Sequence, residues 1–246
     1  MAETEVTRAA DLLERIYATG KVEADDGSTL SPFPSGLPRE HADEIMRLVR
    51  EHHLMRTIET GLAYGISALA IGSVHQERGE GTHIAIDPGQ NTHFKGIGRL
   101  NVERAGLADR VTVLAERADA ALPRLRAEGV RLDFALIDGK HIFDFVLLDF
   151  FYIDRMLEIG GLVTFHDTWK PAVAEVVSYV STNRAYEELD PIDHGLTVLR
   201  KLDDDTRKGW FHRDFERGAR RGTLRYELTS LPGRIRRRAQ AARHRA

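Results

Sequence analysis

The stretch Thr57-Ile58-Glu59-Thr60-Gly61-Leu62-Ala63-Tyr64-Gly65-Ile66-Ser67 reads as the end of a buried strand, a tight glycine turn and the first turn of a helix. Gly61 can take the positive φ that such a turn needs, and without a Cβ it lets a ligand lie against the backbone. Gly65 allows close packing where the helix starts, and Ile66, Ala68, Leu69, Ala70 and Ile71 continue that helix as an apolar run. Nucleotide cofactors favour such turns, because the glycines admit them and the helix N-terminus offers free N–H groups. The dinucleotide fingerprint is G-x-G-x-x-G. Here an acid stands two residues before the first glycine and only G-x-x-x-G follows. An ordinary strand-to-helix turn is the plainer alternative.

On either side of this stretch the pattern is regular. Strands are expected at Thr57–Glu59, His83–Asp87, Val111–Leu114, Leu132–Asp138 and Leu162–Phe165. Helices are expected between and after them, at Ser67–Gln76, Phe94–Ala105, Ala120–Glu128, Phe143–Ile159 and Ala172–Asn183. Repeated β-then-α with apolar strands signals a parallel sheet covered on both faces. The end differs: Ala185–Leu189 and Gly195–Leu202 read as two strands joined through Pro191 and His194. The fold class expected is therefore α/β. It is a Rossmann-like, doubly wound, mostly parallel seven-stranded sheet with a C-terminal antiparallel hairpin, in three α/β/α layers.

Two segments lie outside the alternation. Residues 1–40 hold an amphipathic helix, Thr7–Gly20, and a turn-rich stretch from Asp25 to Pro38 that reads either as a linker or, through Phe33 and Leu37, as a lid or substrate wall. Helix Arg39–His52 then leads into a core domain at residues 41–204. Residues 205–246 form a basic tail, with ten arginines from Arg217 to Arg245 against one acid, Glu227. Arg236-Arg237-Arg238 offers charge to phosphates, but no aromatic platform accompanies it, so a solvated tail is expected rather than a nucleic-acid partner. The chain of 246 residues has no cysteine, which excludes disulfides, thiolate catalysis and Cys-based zinc sites. No apolar run approaches a membrane span, and the acidic start lacks the regions of a signal peptide, so a cytoplasmic location and no membrane partner are expected.

In open α/β sheets ligands bind at the carboxyl ends of the strands. The residues there are Glu59, Asp87, Glu116, Asp138 and His166-Asp167. Asp87, 22 residues beyond Gly65, suits a carboxylate accepting both hydroxyls of an adenosine ribose, or alternatively a helix N-cap before Pro88. Asp138, His166 and Asp167 could together bind a hard divalent ion such as Mg²⁺, orienting substrate hydroxyls and lowering the pKa of the one attacked. An imidazole can take a proton near neutrality, so His141 could take the one that hydroxyl loses. Otherwise Asp138 and Asp167 only cap helices and bond loop amides. Trp169 and Lys170 are candidates for the wall of an acceptor pocket.

The E-x-G-x-x-x-G pattern resembles motif I of class I S-adenosylmethionine-dependent methyltransferases, in which the acid faces the methionine end of the cofactor. That resemblance implies a cofactor lying along Glu59, Thr60, Gly61, Tyr64, Gly65 and Ser67, with its ribose on Asp87. The run from Glu116 to Leu125 resembles the segment bordering adenine in many O-methyltransferases, where Gly-Asp-Ala or Gly-Asp-Ser is common. It points to Arg117 and Ala118 as contacts. Asp138-Gly139-Lys140-His141, the helix after it and Gly160-Gly161 through His166-Asp167 are similar to the TylF/MycE-like branch, which includes macrolide sugar O-methyltransferases. The resemblance covers residues 40–202. It implies metal-binding acids at Asp138 and Asp167, a catalytic pair of His141 and Asp138, and cofactor contact at Asp138. His166 stands where the branch has its first acid.

The function expected is O-methylation of a small hydroxylated acceptor, sugar or natural-product-like, using S-adenosylmethionine with or without Mg²⁺, in a monomer or a homo-oligomer. Two alternatives stand beside it: a nicotinamide-dependent oxidoreductase, which would lack the third glycine, and a non-catalytic binding or scaffold protein of the same fold.

Overall fold

The structure, a computed structural model, describes residues 8–189 and 195–208. Helix α1 (Ala9–Thr19) is followed by two short strands, β1 (Val22–Glu23) and β2 (Thr29–Leu30), paired antiparallel. Then come α2 (Arg39–Glu51), β3 (Arg56–Thr60), α3 (Ile66–Arg78), β4 (Thr82–Ile86) and α4 (Ile97–Arg104). The chain continues through β5 (Val111–Leu114), α5 (Ala118–Ala127), β6 (Leu132–Ile137), α6 (Phe143–Asp154), β7 (Leu157–His166) and α7 (Pro171–Asn183). It closes with β8 (Tyr186–Glu188) and β9 (Leu196–Lys201).

The main sheet has seven strands in the order β5-β4-β3-β6-β7-β9-β8. Pairing is parallel from β5 to β7, and β9 runs antiparallel to both β7 and β8. This is the Rossmann-like, doubly wound sheet with a C-terminal antiparallel hairpin that the alternation predicts. The chain moves outward from β3 through β4 to β5, then returns to place β6 on the other side of β3. The crevice between the carboxyl ends of β3 and β6 is therefore the switch point where ligands bind in such sheets.

Two apolar cores cover the two faces. One joins Ile16 of α1, Ile45 and Leu48 of α2 and Leu69 and Ile71 of α3 against Phe134 and Leu136 of β6. The other joins Leu122 of α5, Phe150 and Ile153 of α6 and Val176 and Val180 of α7 against Ile58, Val163 and Phe165. Period-3.6 helices on period-2 strands produce this division, because successive strand residues face opposite layers. Helix α1 buries Ala9, Leu12, Leu13 and Ile16, so this helix, though outside the alternation, is part of the first core.

The structure departs from the expected elements in three places. The helix from Phe143 ends at Asp154 rather than Ile159, and β7 begins at Leu157. The reason lies in β9: the buried Lys201 ammonium donates to the carbonyls of Asp154 (2.7 Å) and Leu157 (2.8 Å), which fixes the helix end, while Leu157 pairs with Leu132. The turn-rich stretch contains strand β2, and α4 starts three residues later than expected, at Ile97, after a run of turns. The turn joining β8 and β9, including His194, and the arginine-rich tail lie outside the described residues.

Candidate active site

A cleft of about 1150 Å³ opens at the carboxyl edge of the sheet over β3, β4, β6 and β7. Its floor is the glycine turn. Gly61 has φ +96°, and a Cβ there would lie 2.2 Å from the carbonyl oxygen of Asp138. The space freed at Gly61 is thus taken by the neighbouring loop rather than by a ligand, and it lets the turns after β3 and β6 touch. Asp138 N–H donates to Thr60 O (2.9 Å) across the same seam. Gly65, φ +87°, has Gly98 O only 3.0 Å from where its Cβ would stand, so α3 begins in close contact with α4.

Thr60, Gly61, Asp87, Arg117, Ala118, Asp138, His141, His166 and Asp167 all line the cleft, as do Trp169 and Lys170. Glu59, Tyr64, Gly65 and Ser67 do not. Glu59 points into the first core, its carboxylate 3.2 Å from His83 Nε2, with both side chains fully buried. His83 Nδ1 lies 2.9 Å from Thr57 Oγ1, which is 3.2 Å from His75 Nε2. His75 is driven down to about 4, by burial first and then by the nearby charges of His83, Arg78 and Arg110. Tyr64 stacks edge-on against Phe94 behind the wall. Phe33 and Leu37, the expected lid residues, pack inward, Phe33 against the Tyr17 ring and Leu37 within the first core. The residues of that loop that reach the cleft are Pro34 and Ser35.

Asp87 braces the glycine turn. It accepts the N–H groups of Ala63 (2.7 Å) and Gly89 (2.7 Å) and the Gln90 side-chain amide (3.2 Å). A carboxylate has about four acceptor sites, and three of them are taken here. Arg117 bonds Asp119 and lies over the Phe145 ring at 5.7 Å, with Lys140 Nζ 4.6 Å from the same ring.

The ionisable cluster sits between β6 and β7. His166 Nδ1 is 2.9 Å from Asp138 Oδ1, and its Nε2 is 3.0 Å from Nδ1 of His41 on α2. Both ring nitrogens of His166 are therefore committed. His141 Nε2 lies 3.4 Å from Asp138 Oδ1 and 3.2 Å from Asp167 Oδ2, while its Nδ1 accepts from Lys170 Nζ at 3.1 Å. Lys170 also bonds Asp167 Oδ2, and the Trp169 indole N–H donates to Asp167 Oδ1 at 2.9 Å. Burial pushes Asp138 upward, but the bonds from His141 and His166 and their charge outweigh it and hold the carboxyl below its ordinary range. Burial likewise pushes His166 down; its bond to Asp138 and the charges of Asp138 and Asp167 prevail over that and over Lys170, and raise it.

Among the described residues, the trio whose donor atoms could surround an ion is Asp138, His141 and Asp167, all within 4.8 Å of one another, and it does not include His166. The trio suits Mg²⁺ poorly. One donor is an imidazole where magnesium favours oxygen, and Asp167 and His141 already bond the Lys170 ammonium.

Three residues escaped sequence reasoning. Phe145 and Asp149 stand four apart on α6 and both face the cleft, the spacing at which helix residues share a face. The signal was an acid, Asp149, in the middle of an apolar run. Asp149 is pushed up to about 7, by burial above all, with the Thr60 hydroxyl working against that and the Asp119 charge adding to it. His41 gave no signal, since it reaches His166 from a helix 125 residues away in sequence.

Residues 58–168, a little under half of the chain, match a family described as a methyltransferase domain. Solved structures of the same fold include an O-methyltransferase from Bacillus cereus in complex with S-adenosylhomocysteine (SAH), 15% identical with a TM-score of 0.60, covering 78% of this chain and 90% of that one. The O-methyltransferase TomG from Streptomyces achromogenes, involved in tomaymycin synthesis and bound to S-adenosylmethionine, is 13% identical with a TM-score of 0.61, covering 82% and 91%. An SAH-bound methyltransferase from Podospora anserina is 14% identical with a TM-score of 0.62, covering 82% and 89%. No curated protein matches the chain. None of the described helices is long and apolar enough to cross a membrane.

Proposed function

We propose that this protein is an S-adenosylmethionine-dependent O-methyltransferase acting on a small hydroxylated acceptor. The observation that carries the reading is one shared cleft, where the glycine turn, Asp87 and the Asp138–His141 pair face one another at the switch point of the sheet. The methyltransferase-domain match over residues 58–168 supports it. The acceptor class, a sugar or natural-product-like hydroxyl compound, follows the resemblance of Asp138-x-x-His141 and His166-Asp167 to the TylF/MycE-like branch.

When bound, S-adenosylmethionine supplies a methyl group on a positively charged sulfur; the oxygen–carbon bond forms as the carbon–sulfur bond breaks, leaving neutral SAH. Thr60, Gly61 and Ala63 form the floor beneath the cofactor, and Asp87 takes one ribose hydroxyl. Arg117, Ala118 and Phe145 border the adenine side. Pro34 and Ser35 close the opposite rim over the acceptor. His141 Nδ1 takes the acceptor's proton as the Lys170 N–H that occupies it turns away. Holding two reactants in line can supply up to about 7–11 kcal/mol of the barrier.

Calorimetric titration with SAH, with and without Mg²⁺ and alongside NAD⁺, tests the reading. Micromolar SAH binding is expected, with none for NAD⁺. Binding of NAD⁺ instead, or of neither, would sink it.

A further inference from the structure

The cluster between β6 and β7 holds a cation that the chain itself supplies. Lys170 Nζ donates to Asp167 Oδ2 and, over 3.1 Å, to His141 Nδ1. Its backbone N–H donates to Asp167 O at 2.8 Å, closing a turn, and Pro171 follows as the first residue of α7. Both side chains are thereby fixed on one short turn at the cleft wall. The remaining Asp167 oxygen takes the Trp169 indole, and Asp138 Oδ1 takes His166.

A divalent ion ligated by Asp138, His141 and Asp167 would have to break these bonds. It would also bring two positive charges to a group whose two carboxylates are already half neutralised by one ammonium. An ammonium has three N–H donors, and the two bonds above leave one free to point into the cleft, where Lys170 forms part of the wall.

We propose that Lys170 is the resident cation of this site. Its ammonium holds the place between Asp167 and His141 that a divalent ion would take, so the cluster works without a metal. As the acceptor arrives, the ammonium N–H on His141 Nδ1 turns to the acceptor oxygen, which gives its proton to that nitrogen and becomes negative, while the bond to Asp167 keeps the ammonium in place. The acceptor contact rests on the O-methyltransferase reading, whereas the exclusion of metal does not.

The test is Mn²⁺ binding to the full-length protein, followed by electron paramagnetic resonance, for wild type, Lys170→Met, Lys170→Arg and Lys170→Met combined with Asp167→Asn. Lys170→Met should bind Mn²⁺ at least about tenfold more tightly than wild type, a difference of roughly 1.4 kcal/mol. Lys170→Arg, which keeps a cation, should stay as weak as wild type, and Asp167→Asn should remove the gain. Should Lys170→Met not fold, Lys170→Gln carries the same comparison. Equal affinity in wild type and the neutral variant, or a gain that survives Asp167→Asn, overturns the proposal. SAH binding by wild type is followed in parallel. Its absence would remove the O-methyltransferase reading and leave the metal result standing; its presence with no Mn²⁺ gain would overturn the Lys170 assignment alone.

Discussion

Gly61→Ala tests whether the close approach of two turns builds the cleft. At φ +96°, a side chain is strained before any neighbour is considered, a cost of about 1–3 kcal/mol. The new Cβ would also lie 2.2 Å from Asp138 O, 2.7 Å from Asp138 C and 3.0 Å from Gly139 Cα, all backbone atoms that no rotamer change can move aside. Overpacking of that kind adds about 1–3 kcal/mol, for a total of about 2–6 kcal/mol against a typical stability of about 5–15 kcal/mol. Gly79→Ala is the control: φ is +76°, but nothing lies within 4 Å of its Cβ, so only the left-handed backbone is penalised, about 1–2 kcal/mol. Urea unfolding of wild type and both variants, compared by midpoint, isolates the steric part. Because relief of the contact must push the turn after β6 outward, Gly61→Ala should also weaken SAH binding while Gly79→Ala leaves it unchanged. If Gly61→Ala costs no more than Gly79→Ala, the two turns are not held together by the absence of a Cβ, and the reasoning fails.

Asp149→Asn should change the pH dependence of stability. The folded carboxyl holds its proton up to about pH 7 while the unfolded one releases it near 3.8, so wild-type stability falls as pH rises across that window and levels off above it. The variant should lack that slope and be more stable than wild type at pH 8 by on the order of 4 kcal/mol, as read from urea unfolding at pH 5 and pH 8. His41→Phe leaves His166 Nε2 without its 3.0 Å partner. It should lower stability by about 1–3 kcal/mol and slow turnover with SAH affinity kept; full turnover would remove the role given to this contact. Asp87→Ala takes the acceptor from the Ala63 and Gly89 N–H groups, so SAH affinity should fall at least about tenfold in calorimetry. Lys201→Met strands the carbonyls of Asp154 and Leu157 at about 1–3 kcal/mol each, visible as a lower urea midpoint with SAH affinity unchanged.

The sheet was legible because strand and helix periodicities differ and the glycine turn marks its centre. The terminal pair of strands was legible because two β-rich runs follow the last helix. The end of α6 was not, since its stop is a lysine from β9 that grips two carbonyls across the fold, and no local pattern records that. Gly160-Gly161 stands just ahead of the strand expected at Leu162–Phe165 but lies inside β7. At the site, residues ending strands were found because topology fixes where they point. Glu59 was placed on the cleft by its position in the motif, yet as a β3 residue it faces the layer opposite to Thr60 and meets His83 instead. His41 and Lys170 show the remaining difficulty. A sequence displays which groups could bond, while the bonds of His166 and Asp167 are settled by which donors the packing brings near.

Those bonds change what the acidic rim means. The strand-end acids read from the sequence as a negative edge awaiting a cation. In the folded chain Asp87 ties the turn after β3 to the loop after β4, Asp138 ties β6 to α2 through His166 and His41, and Asp167 ties β7 to the start of α7. Each acid is a brace before it is a ligand site, and the charge of Asp138 and Asp167 is met by imidazole and ammonium rather than left open. Replacing either acid therefore perturbs position and electrostatics together. Lys170 is the more informative place to cut: it is partly exposed, begins a helix whose Pro171 holds the turn without it, and carries charge that can be removed while Asp138 keeps its bond to His166. A site preorganised in this way gains from donors already fixed where negative charge develops, and Lys170 is the donor best placed to supply that gain to an oxygen brought up to His141.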